Sequence, residues 1–327
     1  MKVCIVGAGA IGGFIGTRLA LAGQCETFAL ARGATLDALQ THGWRLDQAG
    51  EFLQAPVTAS ERPDDLGTQD LIIVAVKSQA LGAVAGAIAA LCGPRTIVLP
   101  MMNGVPWWFV AGRPGLGAQP IESVDPGGRI AALIPVGRVL GGVVHASCST
   151  PEPGRVLHRM GQGLIVGEPA GGGSARVDQV VDLLSHAGFD ATASEDIRQA
   201  LWYKLWGNLT MNPVSALTGA TIDRILDDPQ VRTLCSAAMR EAQAIGAAIG
   251  CPIDQSPEDR HAVTRKLGAF RTSMLQDVDA HRPIELDAIV TAVHELGLRT
   301  GVPTPMVDAL LGLTRLMARV RGLYPAA

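Results

Sequence analysis

The 327 residues include 27 Lys and Arg against 30 Asp and Glu, a formal net charge of -3, with 48% hydrophobic and 17% charged positions. That length suits two domains with a real core, and the balance of charge implies neither nucleic acid nor an anionic membrane surface as a partner. No apolar run reaches the ~18 residues of a membrane span and no signal peptide is legible at the N-terminus, so a cytoplasmic protein is expected. Six cysteines form no Cys-x-x-Cys pair and seven histidines show no ligand spacing, so neither a disulfide framework nor a metal site is expected.

The chain opens with Val3–Val6, a short buried strand, followed by Gly7-Ala8-Gly9-Ala10-Ile11-Gly12 and an apolar, small-residue helix from Ile11 to Leu21. Glycines spaced G-x-G-x-x-G between a strand and a helix allow a tight reversal, close approach of a pyrophosphate and close helix–strand packing. The unpaired N–H groups at the start of the helix then face the phosphates. Glu26–Ala31 is a second strand. An NAD site wants an acidic residue about 20 positions beyond the glycines, at the ribose 2′-hydroxyl. Arg32 stands there instead. A cation suits a 2′-phosphate, so NADP(H) is the expected cofactor; the alternative is a solvated loop cation.

Trp44 to Ser60 reads as a hairpin turning at Gln48-Ala49-Gly50, and Leu71–Val76 as a strand covered on both faces. Lys77 follows at its carboxyl end, where open α/β sheets bind ligands. It either meets cofactor or substrate, or is an exposed lysine opening a helix over 79–91. After the strand Thr96–Pro100 comes Asn103, a neutral amide able to hydrogen-bond a ribose or substrate. Trp107 and Trp108 either wall a cleft or simply pack. The Gly- and Pro-rich stretch 111–137 is expected to be a long excursion without regular structure. Short strands at 140–147, 155–158 and 163–166, a helix over 175–187 and a strand at 190–193 complete a dinucleotide-binding domain expected to span 1–194.

From Asp196 apolar residues recur at helical spacing, so 195–327 is expected to be an all-α domain carrying substrate and catalysis. Lys204, Asn208 and Asn212 lie at i, i+4 and i+8, within roughly 80° of arc on one helix face, between Trp202 and Trp206. Polar groups on an otherwise apolar surface are costly without partners or work. Pro213 removes a backbone donor and is expected to kink the helix at Asn212. Ser273 and Asp277 share a later helix face, and Glu285 is expected in the first turn of the helix after Arg282-Pro283. Hydride reduction of a ketone leaves a developing oxyanion that needs a proton donor. Lys204 as acid, Glu285 as its partner and Asn208 as orienting amide suffice for that.

Taken together, the glycine turn, Arg32, Val76-Lys77, Asn103-Gly104, Trp202-Tyr-Lys204 with Asn208 and Asn212-Pro213, Ser273-Met-Leu-Gln-Asp277 and Arg282-Pro-Ile-Glu285-Leu-Asp287 resemble the ketopantoate reductase family over nearly the whole chain. The resemblance implies an α/β fold with an N-terminal Rossmann-type doubly wound sheet and a C-terminal all-α domain. It implies NADPH-dependent reduction of 2-dehydropantoate to (R)-pantoate, on the route to pantothenate and coenzyme A. Arg32, Lys77 and the segment Gly7 to Gly12 would hold NADPH, and Asn103 would touch cofactor and substrate. Lys204 would be the general acid, Glu285 would support it beside the cofactor, and Asn208, Asn212 and Ser273 would bind the 2-oxo acid. The chain departs from the family pattern at Phe270, where an Asn is usual, and at Val290-Thr291, where Asn-Gly is usual; Trp107 and Trp108 also differ. Those departures leave open a different 2-oxo acid. A non-catalytic NADPH sensor is the remaining alternative, which an intact Lys204 and Glu285 argue against. A homodimer burying apolar surface of the helical domain is compatible with the composition.

Overall fold

Strands buried on both faces and joined by crossover helices dominate the first hundred residues, and that pattern builds a parallel sheet. The computed structural model describes residues 1–113, 116 and 119–326. They form two compact units, Met1–Met102 with Arg129–Ala200, and Asn103–Gly128 with Leu201–Ala327. Against the expected ranges 1–194 and 195–327, segment 103–128 groups with the helical unit, and the first unit runs on to Ala200. The reason is where that segment's backbone donors go. Val105 N–H reaches Ala288 O at 2.7 Å, while Glu122 N–H and Ser123 N–H reach the Glu295 carboxylate at 2.9 and 3.1 Å.

The strands of the first unit are β1 (Lys2–Val6), β2 (Glu26–Leu30), β3 (Trp44–Gln48), β4 (Glu51–Ala55), β5 (Thr58–Ser60), β6 (Gln69–Val74), β7 (Cys92–Pro100), β8 (Gly141–Glu152), β9 (Arg155–Gly167) and β10 (Asp190–Ser194). Its helices are α1 (Ala10–Ala22), α2 (Gly33–His42), α3 (Pro63–Leu66), α4 (Leu81–Ala90), α5 (Arg129–Leu133) and α6 (Ala175–His186). One sheet runs β5-β2-β1-β6-β7 with every pairing parallel, the order in which a Rossmann-type sheet grows outward from its first strand. Val3 to Ile5 and Leu71 to Val74 are fully buried, as strands covered on both faces must be. A second sheet runs β10-β9-β3-β4, with β8 antiparallel on β9. Helix α1 packs against strands of this second sheet as well as against β1 and β2, close enough that a Cβ at Gly16 would lie 2.6 Å from the Trp44 ring and one at Gly13 2.6 Å from Val156.

Three expectations need correction. The hairpin ends at Ala55; Thr58–Ser60 leaves it to pair with β2. The short strands expected over 140–166 are two long ones, β8 and β9, whose register shifts at β-bulges absorb the interrupting glycines and polar residues. The stretch 111–137 contains a helix, α5, although residues 114, 115, 117 and 118 of that expected excursion lie outside the described residues.

The second unit contains α7 (Ile197–Thr218, which enters from the first unit), α8 (Ile222–Asp227), α9 (Pro229–Ala248), α10 (Pro257–Arg265), α11 (Ser273–Asp279), a π-helical turn at Asp287–Thr291, α12 (Ala292–Thr300) and α13 (Pro305–Val320). Helix starts are written in the sequence. Asp228, Ser256 and Thr272 each cap with the side chain, and proline occupies the first turn behind Asp228 and Ser256. Helix α7 is pinned on α9 by two buried indoles, Trp202 donating to Ala242 O at 3.2 Å and Trp206 to Met239 O at 2.7 Å. It continues unbroken past Pro213 to Thr218. No described helix is long and apolar enough to cross a membrane, and the described residues hold no metal-binding cluster.

Candidate functional site

In the first unit the glycine turn has the shape that phosphate binding demands. Gly7 has φ +92, and a Cβ there would lie 2.6 Å from Val76 Cγ1. A Cβ at Gly12 would overlap the Gly7 carbonyl, so strand and helix can close only around hydrogen. Gly9 differs: it is exposed, and a Cβ there would meet nothing within 4 Å. That open space lies over the first turn of α1, where the N–H groups of Ala10, Ile11 and Gly12 lack helical acceptors. Ala8 is buried beneath the turn, while Ala10 and Ile11 are half-buried. Arg32 ends the second strand segment as the extended residue before α2 and is exposed, with no hydrogen-bond or ion-pair partner among the described residues. Lys77 is also exposed and opens the 3₁₀ turn Ser78–Ala80 behind β6. A dinucleotide with a 2′-phosphate fits this set of a turn open at Gly9 and a free cation at Arg32.

The second unit carries the other predicted residues, and among them Asn103, Lys204 and Glu285 interact. Lys204 Nζ donates to Asn103 Oδ1 at 2.9 Å, across 101 positions of sequence. Burial pulls the Lys204 ammonium down from 10.5 to about 8, and the nearby charge of Glu285 opposes the fall. Glu285 is itself buried, at 5% exposure, and directly precedes the helical turn rather than lying within it. A half-buried ammonium bonded to an amide oxygen, drawn down by burial and supported by a nearby carboxylate charge, is suited to proton donation at neutral pH.

Asn103 is set by its neighbour. Gly104 has φ +83, and a Cβ there would lie 2.6 Å from the Ala288 Cβ, so the turn can press against the π-helical segment only as glycine. Val105 N–H then bonds Ala288 O at 2.7 Å and fixes the contact. Such π turns occur disproportionately at functional sites. Asn208 and Asn212 follow Lys204 along α7, the first half-buried and the second 4% exposed, and neither amide has a hydrogen-bond partner among the described residues. Ser273 is the first residue of α11 and half-buried, behind the Thr272 cap.

Trp107 and Trp108 are 3% and 1% exposed and belong to the core of this unit, where Phe109 stacks on Trp202 at 6.0 Å. Of the family departures, Phe270 is half-buried, Val290 is fully buried in the π turn, and Thr291 donates to Asp287 Oδ1 at 3.0 Å. Sequence reasoning grouped Asn103 with the sheet that precedes it; its bond to Lys204 was invisible because nothing local signals a partner 101 residues away.

Comparison with known proteins divides the chain in sequence order, with residues 103–128 in the N-terminal match. Residues 3–171 match the family described as ketopantoate reductase PanE/ApbA, and residues 196–318 its C-terminal domain. The chain belongs to the ketopantoate reductase family. A 2-dehydropantoate 2-reductase of Mesorhizobium japonicum is 43% identical over 325 residues, covering 99% of this chain and 100% of that one. A crystal structure from Ralstonia solanacearum MolK2, assigned as a ketopantoate reductase, is 57% identical with a TM-score of 0.95, covering 99% of both chains. D-mandelate dehydrogenase, crystallised with NADH and anilino(oxo)acetate, shares the fold at 22% identity and a TM-score of 0.86, covering 99% of this chain and 100% of that one. The family is one of NADP-dependent oxidoreductases.

Proposed function

We propose that this chain reduces 2-dehydropantoate to (R)-pantoate with NADPH, in the cytoplasm, as the reductive step toward pantothenate. The observation that carries the reading is Lys204 Nζ bonded to Asn103 Oδ1 with the buried Glu285 carboxylate nearby, burial drawing the ammonium down to about 8. When bound, NADPH supplies a hydride to the C2 carbonyl carbon. The carbonyl π electrons move onto oxygen, and Lys204 Nζ gives that oxygen its proton. Asn103 holds the ammonium in place through its Oδ1, and the Glu285 carboxylate favours the amine's reprotonation. The unpartnered amides of Asn208 and Asn212, with the Ser273 hydroxyl, bind the carboxylate and hydroxyl of the 2-oxo acid. Arg32 and Lys77 hold the phosphates beside the segment Gly7 to Gly12. A homodimer through the helical unit is part of this reading, because Leu298, Leu313, Leu316 and Val320 each stand more than half exposed on α12 and α13.

The test is NADPH oxidation by purified protein against a panel of 2-oxo acids. Turnover of 2-dehydropantoate well above that of the other acids supports the reading. A second reading, a reductase of a bulkier or more apolar 2-oxo acid, is favoured by half-buried Phe270 where an amide is usual, and turnover without 2-dehydropantoate would establish it. Failure with every acid would leave a nucleotide-binding protein without this activity.

A further inference from the structure

Glu285 lies in a segment without helical hydrogen bonds of its own, between the turn at Ala280-His281 and the π turn at Asp287. Something must hold it, because a carboxylate displaced by about an ångström from a catalytic group can cost two orders of magnitude in rate. Two bonds from the last residues of the chain bracket it. On one side, Ile284 N–H donates to Leu323 O at 3.2 Å. On the other, Tyr324 Oη donates to Asp287 Oδ1 at 2.6 Å.

The tail that makes these bonds is itself anchored. After α13 the chain reverses at Gly322, with φ +68, and Leu323 N–H returns to Ala318 O at 2.7 Å. Leu323 is 2% exposed, the Arg319 guanidinium lies 5.8 Å from the Tyr324 ring centroid, and Arg319 Nε donates to Pro325 O at 3.2 Å. Burial and the Asp287 carboxylate push the Tyr324 phenol up to about 12, so it stays a donor at any working pH. Asp287 is shared: Thr291 Oγ1 also donates to its Oδ1, inside the π turn whose Ala288 O receives Val105 N–H next to Asn103. One carboxylate thus ties the tail to the turn that backs the Asn103 segment.

Resting on the reductase reading above, we propose that Tyr324 and Leu323 form a C-terminal brace that positions Glu285 beside Lys204, with Tyr324 acting through Asp287. Tyr324 is a positioning residue; it touches none of the reacting groups assigned here.

The experiment compares wild type with Tyr324→Phe, Asp287→Ala and the double variant. In Tyr324→Phe, kcat falls by about tenfold or more while KM for NADPH holds. The basic limb of its pH–rate profile also moves to lower pH, because Glu285 no longer supports the Lys204 charge as well. The double variant matches Asp287→Ala alone, since Tyr324 works through that carboxylate. Hydrogen exchange of the peptide spanning 283–288 quickens in Tyr324→Phe at unchanged global melting temperature. That measurement needs no substrate, so it tests the brace even if the wild type reduces no 2-oxo acid, an outcome that would sink the function reading alone. Unchanged exchange and an unmoved pH limb in Tyr324→Phe, or strictly additive losses in the double variant, would overturn the brace.

Discussion

Raising the pH from 7 to 9 should slow reduction in a way that names the proton donor. Lys204 is drawn down to about 8 by burial, against 10.5 for an ordinary lysine, with Glu285 opposing. With a pKa near 8, about a tenth of the lysine is still protonated at pH 9, whereas an ordinary lysine would remain almost wholly protonated. Only the protonated form can act as the acid, so kcat for NADPH oxidation should fall by roughly tenfold per unit above about 8. Glu285→Gln removes the charge that supports the ammonium, so the limb should move to still lower pH. Lys204→Ala should cost two to four orders of magnitude in kcat, about 2.7 to 5.4 kcal/mol of barrier, and abolish the limb. Stopped-flow absorbance of NADPH with saturating 2-oxo acid reads all three. A rate that is flat from pH 7 to 9, or the same basic limb persisting in Lys204→Ala, would refute Lys204 as the acid.

Arg32→Ala should raise KM for NADPH by about ten- to a hundredfold, the worth of a charge-assisted bond to phosphate, with little change for NADH; equal losses for both cofactors would contradict the 2′-phosphate role. Gly104→Ala, forced to hold φ +83 against Ala288, should cost about 1 to 3 kcal/mol in a urea unfolding titration and depress kcat through Asn103. Buried His261 accounts for a third prediction. Its pKa lies below the ordinary 6.5 because burial disfavours the charge and Arg232, Arg240 and Arg265 repel it, with Glu258 opposing. Its folded pKa being the lower one, protonation favours the unfolded chain, so stability present above about pH 6.5 should be lost as pH falls below it. Urea midpoints at pH 7.5 and 5.5 should show that loss in the wild type and a smaller one in His261→Gln.

Local signals in the sequence carried the elements well and their partners poorly. The glycine turn, β1 and the buried strand read over 71–76, which ends at Val74, announce themselves through spacing and apolar runs. The hairpin at 44–55 was legible, but its membership in a second sheet with β9 was not, since pairing of Arg45 with Arg155 leaves no local trace. The long strand β9 was divided in reading at 159–162, where polar residues and Gly161 interrupt the apolar pattern, whereas the bulged ladder runs on from Arg155 to Gly167. Lys204 stood out as a polar residue among tryptophans. That Asn103 grips it, and that residues 323–324 bracket Glu285, depended on contacts between distant segments.

The most direct test is a crystal structure with NADP⁺ and pantoate bound. The account predicts the pantoate 2-hydroxyl within about 3 Å of Lys204 Nζ, with the nicotinamide C4 facing the adjacent carbon and the 2′-phosphate on Arg32. A hydroxyl directed to some other donor, with Lys204 and Glu285 contacting neither ligand, would contradict it.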